Sequence, residues 1–363
     1  MGNRTVSQPN ALRQPAMSTV PLDPGSTRMF AEAAQAAARV RLQLQDNGAA
    51  LAELGAQLRA LQPRAAITCA RGSSDHAATF ARYLIETRMG LLTSSASPSV
   101  SSVYGVQQDL QRCLFLAISQ SGKSPDLLAA TNAAQQAGAT VVALVNVADS
   151  PLARNSRFFV PLHAGAETSV AATKSYIATL SAIVQLVASW SEDNGLQRAL
   201  ESAPALLEQA WQQDWSGALD LLADAEHLLV IGRGLGLGLA QEAALKLKET
   251  CGLHAEAFSG AELRHGPMAL LQGGVPVWIF VQDDETRAGL EQLARELVDA
   301  GTPVIVAGSM VAGALSLPAI PADPAIAPLL LVQSFYRLAN ALALARGLDP
   351  DRPPFLQKVT ETR

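Results

Sequence analysis

Two stretches of this chain carry one pattern. Ile67-Thr68-Cys69-Ala70-Arg71-Gly72 is a short apolar run closing on an Arg-Gly turn, and residues 227–234, ending Ile231-Gly232-Arg233-Gly234, repeat it at an offset of 162. The register persists, since Ala137-Gly138 and the apolar run after it answer to Ala300-Gly301 at an offset of 163. Between these marks, residues 113–118 answer to residues 275–281. Unbroken apolar runs of this length, separated by segments of helical period, read as strands buried on both faces of a parallel sheet. The expected fold is α/β, with two tandem subdomains, each a doubly wound parallel sheet flanked by helices in the flavodoxin-like manner.

Size and composition agree. A chain of 363 residues can bury two cores, and 49% hydrophobic against 16% charged residues suits deeply buried sheets. The net charge of -5 leaves no cations to replace counterions, which argues against a nucleic-acid or anionic-membrane partner. Cys69, Cys113 and Cys251 are odd in number, far apart and without a CxxC pair, so they read as reduced thiols of a cytoplasmic protein. Residues 1–26 hold Pro, Gln, Asn and Ser but no apolar h-region, and read as a disordered extension. The expected boundaries follow: residues 27–195 for the first subdomain with its N-terminal helices, 196–225 for a helical connection, 226–346 for the second subdomain, and 347–363 for a tail carrying Lys358. The apolar stretch 176–190 is too short to span a bilayer and reads as a core or interface helix.

Chemistry is expected where the two copies differ. Ser119-Gln120-Ser121-Gly122-Lys123-Ser124 stands where a buried strand hands over to a helix. There the first backbone N–H groups are unpaired and the helix dipole favours an anion, while hydroxyls add donors without bulk. Three serines around a glycine therefore read as a phosphate cradle, beyond what an N-cap alone needs. The second copy has Gln282-Asp283-Asp284-Glu285-Thr286 at this point, and an acidic loop repels phosphate. One phosphate site per chain is expected.

The second Arg-Gly turn opens a helix on which Glu242, Lys246 and Glu249 share a face. A solvated i,i+4 pair is the commoner meaning of such spacing. Against it, the fourteen residues from His254 to Pro267 crowd two His, two Glu and an Arg together. On this ground a structural and a catalytic role for His265 stay equally open. His254-Ala255-Glu256 resembles the His-x-Glu of zinc deaminases, but no Pro-Cys-x-x-Cys follows, so no metal is expected. Near the C-terminus, Pro353-Pro354 and the apolar Phe355, Leu356 and Val359 frame Lys358 in a tail that reads as docked, although a lone Lys there would otherwise be surface charge.

Six motifs now stand in one order: Arg71-Gly72-Ser73-Ser74, the serine loop 119–124, residues 168–174, Ala244-Leu245-Lys246-Leu247-Lys248-Glu249, Glu262-Leu263-Arg264-His265-Gly266-Pro267, and Lys358-Val359-Thr360. In these the chain resembles the sugar isomerase (SIS) family over residues 30–363, on the side of the isomerase domain of glucosamine-6-phosphate synthase and the stand-alone SIS-type glucosamine-6-phosphate deaminases. The resemblance implies two SIS subdomains and a small phosphosugar ligand, with no cofactor and no metal. It implies that Ser119, Gln120, Ser121 and Ser124 hold the 6-phosphate, and that Ser73, Ser74 and the backbone near Val170 hold sugar hydroxyls. Glu249 matches the base that moves a proton between C1 and C2, a task one carboxylate can perform on adjacent carbons. Lys246 would hold that base charged or contact the substrate. Lys358 matches the lysine that engages the open-chain sugar, and His265 the residue that opens the ring, reaching in from the neighbouring subunit of a homodimer.

There are departures from the family. Lys123 stands where the synthase has Glu, Ala172 where it has Ser, and the chain starts Met1-Gly2-Asn3 with no catalytic cysteine or glutaminase domain. Lacking an ammonia source, the expected reaction is the deamination of glucosamine 6-phosphate to fructose 6-phosphate. The rivals are deamination or deglycation of another amino-sugar phosphate, such as galactosamine 6-phosphate or fructosamine 6-phosphate, and a non-catalytic phosphosugar sensor. Three matched catalytic positions and the lack of a basic DNA-binding segment oppose the sensor.

Overall fold

The computed structural model describes residues 23–358. The first half builds one sheet from β1 (Ala65–Cys69), β2 (Thr93–Ser95), β3 (Cys113–Ser119), β4 (Thr140–Val145) and β5 (Phe158–Pro161), in the order β2-β1-β3-β4-β5. The second half builds another from β6 (His227–Gly232), β7 (His254–Ser259), β8 (Val277–Phe280), β9 (Val304–Ala307) and β10 (Leu315–Leu317), in the order β10-β9-β8-β6-β7. Every pairing is parallel. Counted from its own first strand, the second sheet has the order of the first, so the duplication seen in the sequence is a duplication of topology. β3 and β4 are buried at every position, which is why both are apolar throughout rather than alternating. Residues 91–103 supply the short edge strand β2 and also a helical turn, Ser99–Ser102, that their serine content did not suggest.

In a sheet of this order the connections leave β1 and β3 on opposite faces, and a crevice opens between the carboxyl ends of those two strands. The register pairs Cys69 with Ala117, so the turn after β1 and the loop after β3 stand side by side at that crevice. The turn carries Ser73 and Ser74, and the loop is the serine loop.

The N-terminal region forms two helices, Arg28–Ala33 and Ala36–Leu61. Residues 23–26 of the expected disordered extension are folded. Pro24–Ser26 makes a 3-10 turn capped by Asp23, and Asn340 holds it by accepting from Thr27 Oγ1 at 2.6 Å and donating to Pro24 O at 3.0 Å. The rest of the expected extension, residues 1–22, lies outside the described residues, as do Val359 and Thr360. Helix Lys174–Ser191 is buried along nearly its whole length between Ala36–Leu61 and Ser73–Met89, the core role expected of its apolar stretch. Helix Ala327–Ala345 is long and apolar enough to cross a membrane, but 83% of its apolar stretch is buried inside the molecule, packed on helices of both halves. The three cysteines are free and buried, and burial pushes the thiols of Cys69 and Cys251 up to about 12 and about 11, which leaves them protonated and unreactive.

The halves meet through helices Ser73–Met89 and Gly236–Cys251. Gly238 lies against His76 and Phe80, while Glu242 takes hydrogen bonds from Ser73 and His76, so the two helices run antiparallel. The last turns of Gly236–Cys251 therefore continue past Ser73 and out over the carboxyl edge of the first sheet. The approach is close: a Cβ on Gly238 would stand 2.5 Å from His76 O. Gly238→Ala should force the helices apart and cost about 1–3 kcal/mol, as overpacking does. Urea unfolding measures it, and an unchanged midpoint would show that the contact has room to spare.

Candidate active site

The serine loop is shaped by its glycine. Gly122 has φ +63°, and a Cβ there would lie 2.3 Å from Ser150 Oγ, so no other residue fits without a shift. Gly122 N donates to Ser119 Oγ at 2.9 Å, and its carbonyl accepts from Leu152 N at 3.2 Å. Lys123 N donates to Ser121 Oγ at 3.4 Å. Ser124 occupies the N-cap of helix Pro125–Gln136 with no side-chain cap bond, so its hydroxyl is not spent on the helix. Arg71 ties the β1 turn to this helix through Asp126, with Nη2 at 2.7 Å and Nε at 3.0 Å from Oδ2. Gln120 and Ser121 are half-buried and Lys123 is exposed.

Beside this loop lies a buried charge cluster. Glu242 is fully buried, and its Oε1 accepts from Ser73 Oγ at 3.1 Å and Tyr336 OH at 3.0 Å. Its Oε2 is 3.0 Å from His76 Nδ1, and Lys246 Nζ stands 3.6 Å from Oε1. Lys246 is itself buried and pairs more tightly with Glu249 Oε2. Glu249 keeps 20% of its side chain exposed, so it is the end of the helix face that opens outward. The i,i+4 spacing thus marks an interior face; the solvated face is not what forms. Burial alone would raise the Glu242 carboxyl, but Lys246, His76 and Ser73 outweigh it and hold the group below the usual range. Burial would likewise lower the Lys246 amine, yet Glu242, Glu249 and Glu167 together hold it above its usual value.

The loop after β5 adds a second buried carboxylate. Glu167 Oε1 accepts from Thr173 N at 3.0 Å and Ser175 N at 3.2 Å, while Oε2 accepts from Ser175 Oγ at 2.6 Å and Lys358 Nζ at 3.1 Å. The tail therefore docks by its lysine. Glu249, Lys246 and Glu242 form one linked group with Ser73 at its inner side, and the Glu167–Lys358 pair is a second group near enough for Glu167 to help raise the Lys246 amine. Ser74 and Val170 are half-buried, Ser74 in the first turn after β1 and Val170 in the β5 loop.

His265 is not part of this group within the chain. It is exposed, just past the 3-10 turn Glu262–Arg264 that follows β7 on the second sheet, and among the described residues its ring meets none of the others. His254 opens β7 at the amino end of that sheet, with Nδ1 3.0 Å from His227 Nδ1. Among the described residues no group of three His, Cys, Asp or Glu is disposed to hold a metal. The acidic loop of the second copy caps itself, as Asp284 Oδ1 accepts from Thr286 N at 2.8 Å and from its hydroxyl at 2.5 Å.

The sequence reading missed Glu167, His76 and Tyr336 as members of the cluster. His76 was within reach, because it follows Ser73 by three residues and so shares its helix face. Nothing local marks Glu167 in an irregular loop, or Tyr336 in an apolar helix 94 residues from its partner.

The SIS domain family matches residues 61–189 and 221–345, one segment in each half, and the chain belongs to that family. Among curated relatives, the glutamine–fructose-6-phosphate aminotransferase (isomerizing) of Methanothermobacter thermautotrophicus is 35% identical over 301 residues, 79% of this chain and 50% of that protein. The chain spans about half the length of the curated relatives it matches. Among solved structures, a Silicibacter pomeroyi DSS-3 protein provisionally described as a phosphosugar isomerase has a TM-score of 0.87 and 41% identity, over 90% of this chain and 100% of that one. A glucosamine-6-phosphate deaminase from Thermotoga maritima shares the fold at a TM-score of 0.75 and 20% identity, over 93% of this chain and 100% of that one.

The charge cluster sets a stability profile. Glu242, held below its ordinary 4.5, contributes stability that is complete above that pH and is lost as pH falls through its lower folded value. Lys246, held above its ordinary 10.5, contributes stability that is complete below that pH and is lost as pH rises through its higher folded value. Removing one partner strands the other: Lys246→Met should cost about 3–5 kcal/mol at pH 7, and adding Glu242→Gln should recover much of it. Urea midpoints across pH read both effects. A Lys246→Met protein as stable as the wild type would show that Glu242 is not held charged by its neighbours.

Proposed function

We propose that this chain is a glucosamine-6-phosphate deaminase, which converts glucosamine 6-phosphate and water to fructose 6-phosphate and ammonia. The observation that carries the reading is two part-buried ion pairs, Glu249–Lys246 and Glu167–Lys358, on the side of the molecule where the serine loop and the β1 turn stand together at the crevice. In this reading Ser119, Gln120, Ser121 and Ser124 grip the 6-phosphate at a helix N-terminus, and Ser73, Ser74 and the Val170 backbone hold sugar hydroxyls. Glu249 takes the C2 proton of the open-chain sugar and returns it at C1, which converts the C1 aldehyde to an alcohol and leaves a ketimine at C2. Water adds to the ketimine and ammonia leaves. Lys246, paired to Glu249, aims that carboxylate, and Lys358 engages the open-chain sugar from the tail. His265 assists ring opening from the second subunit of a homodimer, consistent with its exposure on the far sheet. Of the two directions, deamination needs only water as a co-reactant, whereas amination needs a donor of ammonia.

The assay is release of ammonia and fructose 6-phosphate from glucosamine 6-phosphate. Glu249→Gln should lower kcat by roughly 10²–10⁴-fold, the range for loss of a positioned base. Wild-type release no faster than that of the variant would overturn the reading, and the same assay with galactosamine 6-phosphate or fructosamine 6-phosphate would then identify the rival substrate. Mixing Glu249→Gln with His265→Asn subunits should restore activity at the one site of each heterodimer that has both groups. Verified heterodimers with no recovery would show that the site is not shared.

A further inference from the structure

The segment 165–172, which carries Val170 and ends beside Glu167's acceptor bonds, makes no backbone–backbone hydrogen bond among the described residues. An irregular, partly buried loop of this kind needs its polar groups satisfied from elsewhere. Glu167 ties the segment to the start of helix Lys174–Ser191, accepting from Thr173 N and Ser175 N. The other support comes from the far end of the chain. Glu32, buried on helix Arg28–Ala33, accepts from Thr168 N at 2.5 Å and Thr168 Oγ1 at 2.9 Å with Oε1. Its Oε2 accepts from Ser169 N at 3.1 Å and Ser169 Oγ at 2.5 Å. Burial raises the Glu32 carboxyl, but these four bonds outweigh it and keep the group in its charged form. Ser169 Oγ also lies 3.1 Å from Ala171 O, which folds the chain tightly across Val170 and leaves Val170 N with no acceptor among the described residues.

The same six-residue helix holds the tail. Its first amides, Arg28 N and Met29 N, donate to Asp351 Oδ2 at 2.7 Å and Oδ1 at 2.8 Å, seven residues before Lys358. One short helix therefore grips both segments assigned to the sugar end, the loop through Glu32 and the tail through Asp351.

We infer that Glu32 is a positioning residue for the sugar end of the ligand: by fixing the Thr168 and Ser169 amides it presents the Val170 backbone at the distance from Lys358 that an open-chain sugar needs. The inference rests on the sugar-phosphate reading of the site. A purely structural role predicts a general loss of folding or of all binding. Positioning predicts a selective loss, because the serine loop on β3 does not touch Glu32.

The test is isothermal titration of the full chain with fructose 6-phosphate and, separately, with inorganic phosphate. Glu32→Gln keeps the shape but sets an amide N–H₂ against N–H donors. It should weaken fructose 6-phosphate at least tenfold while phosphate affinity stays within about twofold. Glu32→Asp keeps the charge and should recover part of the loss, and it serves alone if the Gln variant does not fold, with a loss of about threefold for the sugar phosphate only. Unchanged fructose 6-phosphate affinity in the variant read, or an equal loss for both ligands, overturns the inference while leaving the site reading intact. Wild-type protein that binds phosphate but not fructose 6-phosphate overturns the site reading and this inference with it.

Discussion

Glu242 has no path to water, so its charge must be answered inside the protein, and the answers come from three separate helices. Ser73 and His76 come from the first half, Lys246 from the second, and Tyr336 from the helix that closes over both. A buried ion pair of this kind contributes little net stability, because desolvation offsets most of the attraction. What it does impose is register. If helix Gly236–Cys251 slid along Ser73–Met89, Glu242 would leave its donors while remaining buried, and the backbone contact at Gly238 would be lost in the same movement. The twin halves are thereby locked in the one alignment that carries Glu249 out over the first sheet.

Within that alignment the two copies differ at the loop after the third strand. Both sheets share a strand order and both have a crevice at their carboxyl edge. In the first copy the loop after its third strand leaves a serine hydroxyl unspent at a helix N-terminus; in the second, Asp284 accepts from the Thr286 amide and hydroxyl. The second copy contributes a helix to the first copy's crevice, and the tail adds Lys358 through Glu167. Two carboxylates hold the β5 loop where backbone pairing is missing, Glu32 from the N-terminal helix and Glu167 from the loop itself, with Lys358 of the tail bonded to Glu167.

Much of this architecture is legible residue by residue. Runs such as residues 113–118 are apolar without alternation because a strand flanked by helices on both faces has no wet side, and the serine loop stands out because hydroxyls cluster where strand becomes helix. The spacing of Glu242, Lys246 and Glu249 is different. It describes a common helix face, and that face looks the same in sequence whether it meets water or another helix. The His265 motif is similarly silent on place: family likeness sets it with Glu249, while inside one chain its exposed ring makes no hydrogen bond or ion pair with that residue among the described ones.

The sequence by itself determined the strands, their duplication and the serine loop where strand becomes helix, because each depends on neighbours a few residues away or on burial averaged along a segment. Tertiary structure alone decided which charges meet. Lys358 finds Glu167 across 191 positions and Glu32 finds Thr168 across 136. Contacts of that range are fixed by how helices pack, and packing depends on the shape of the whole core, which no local pattern records.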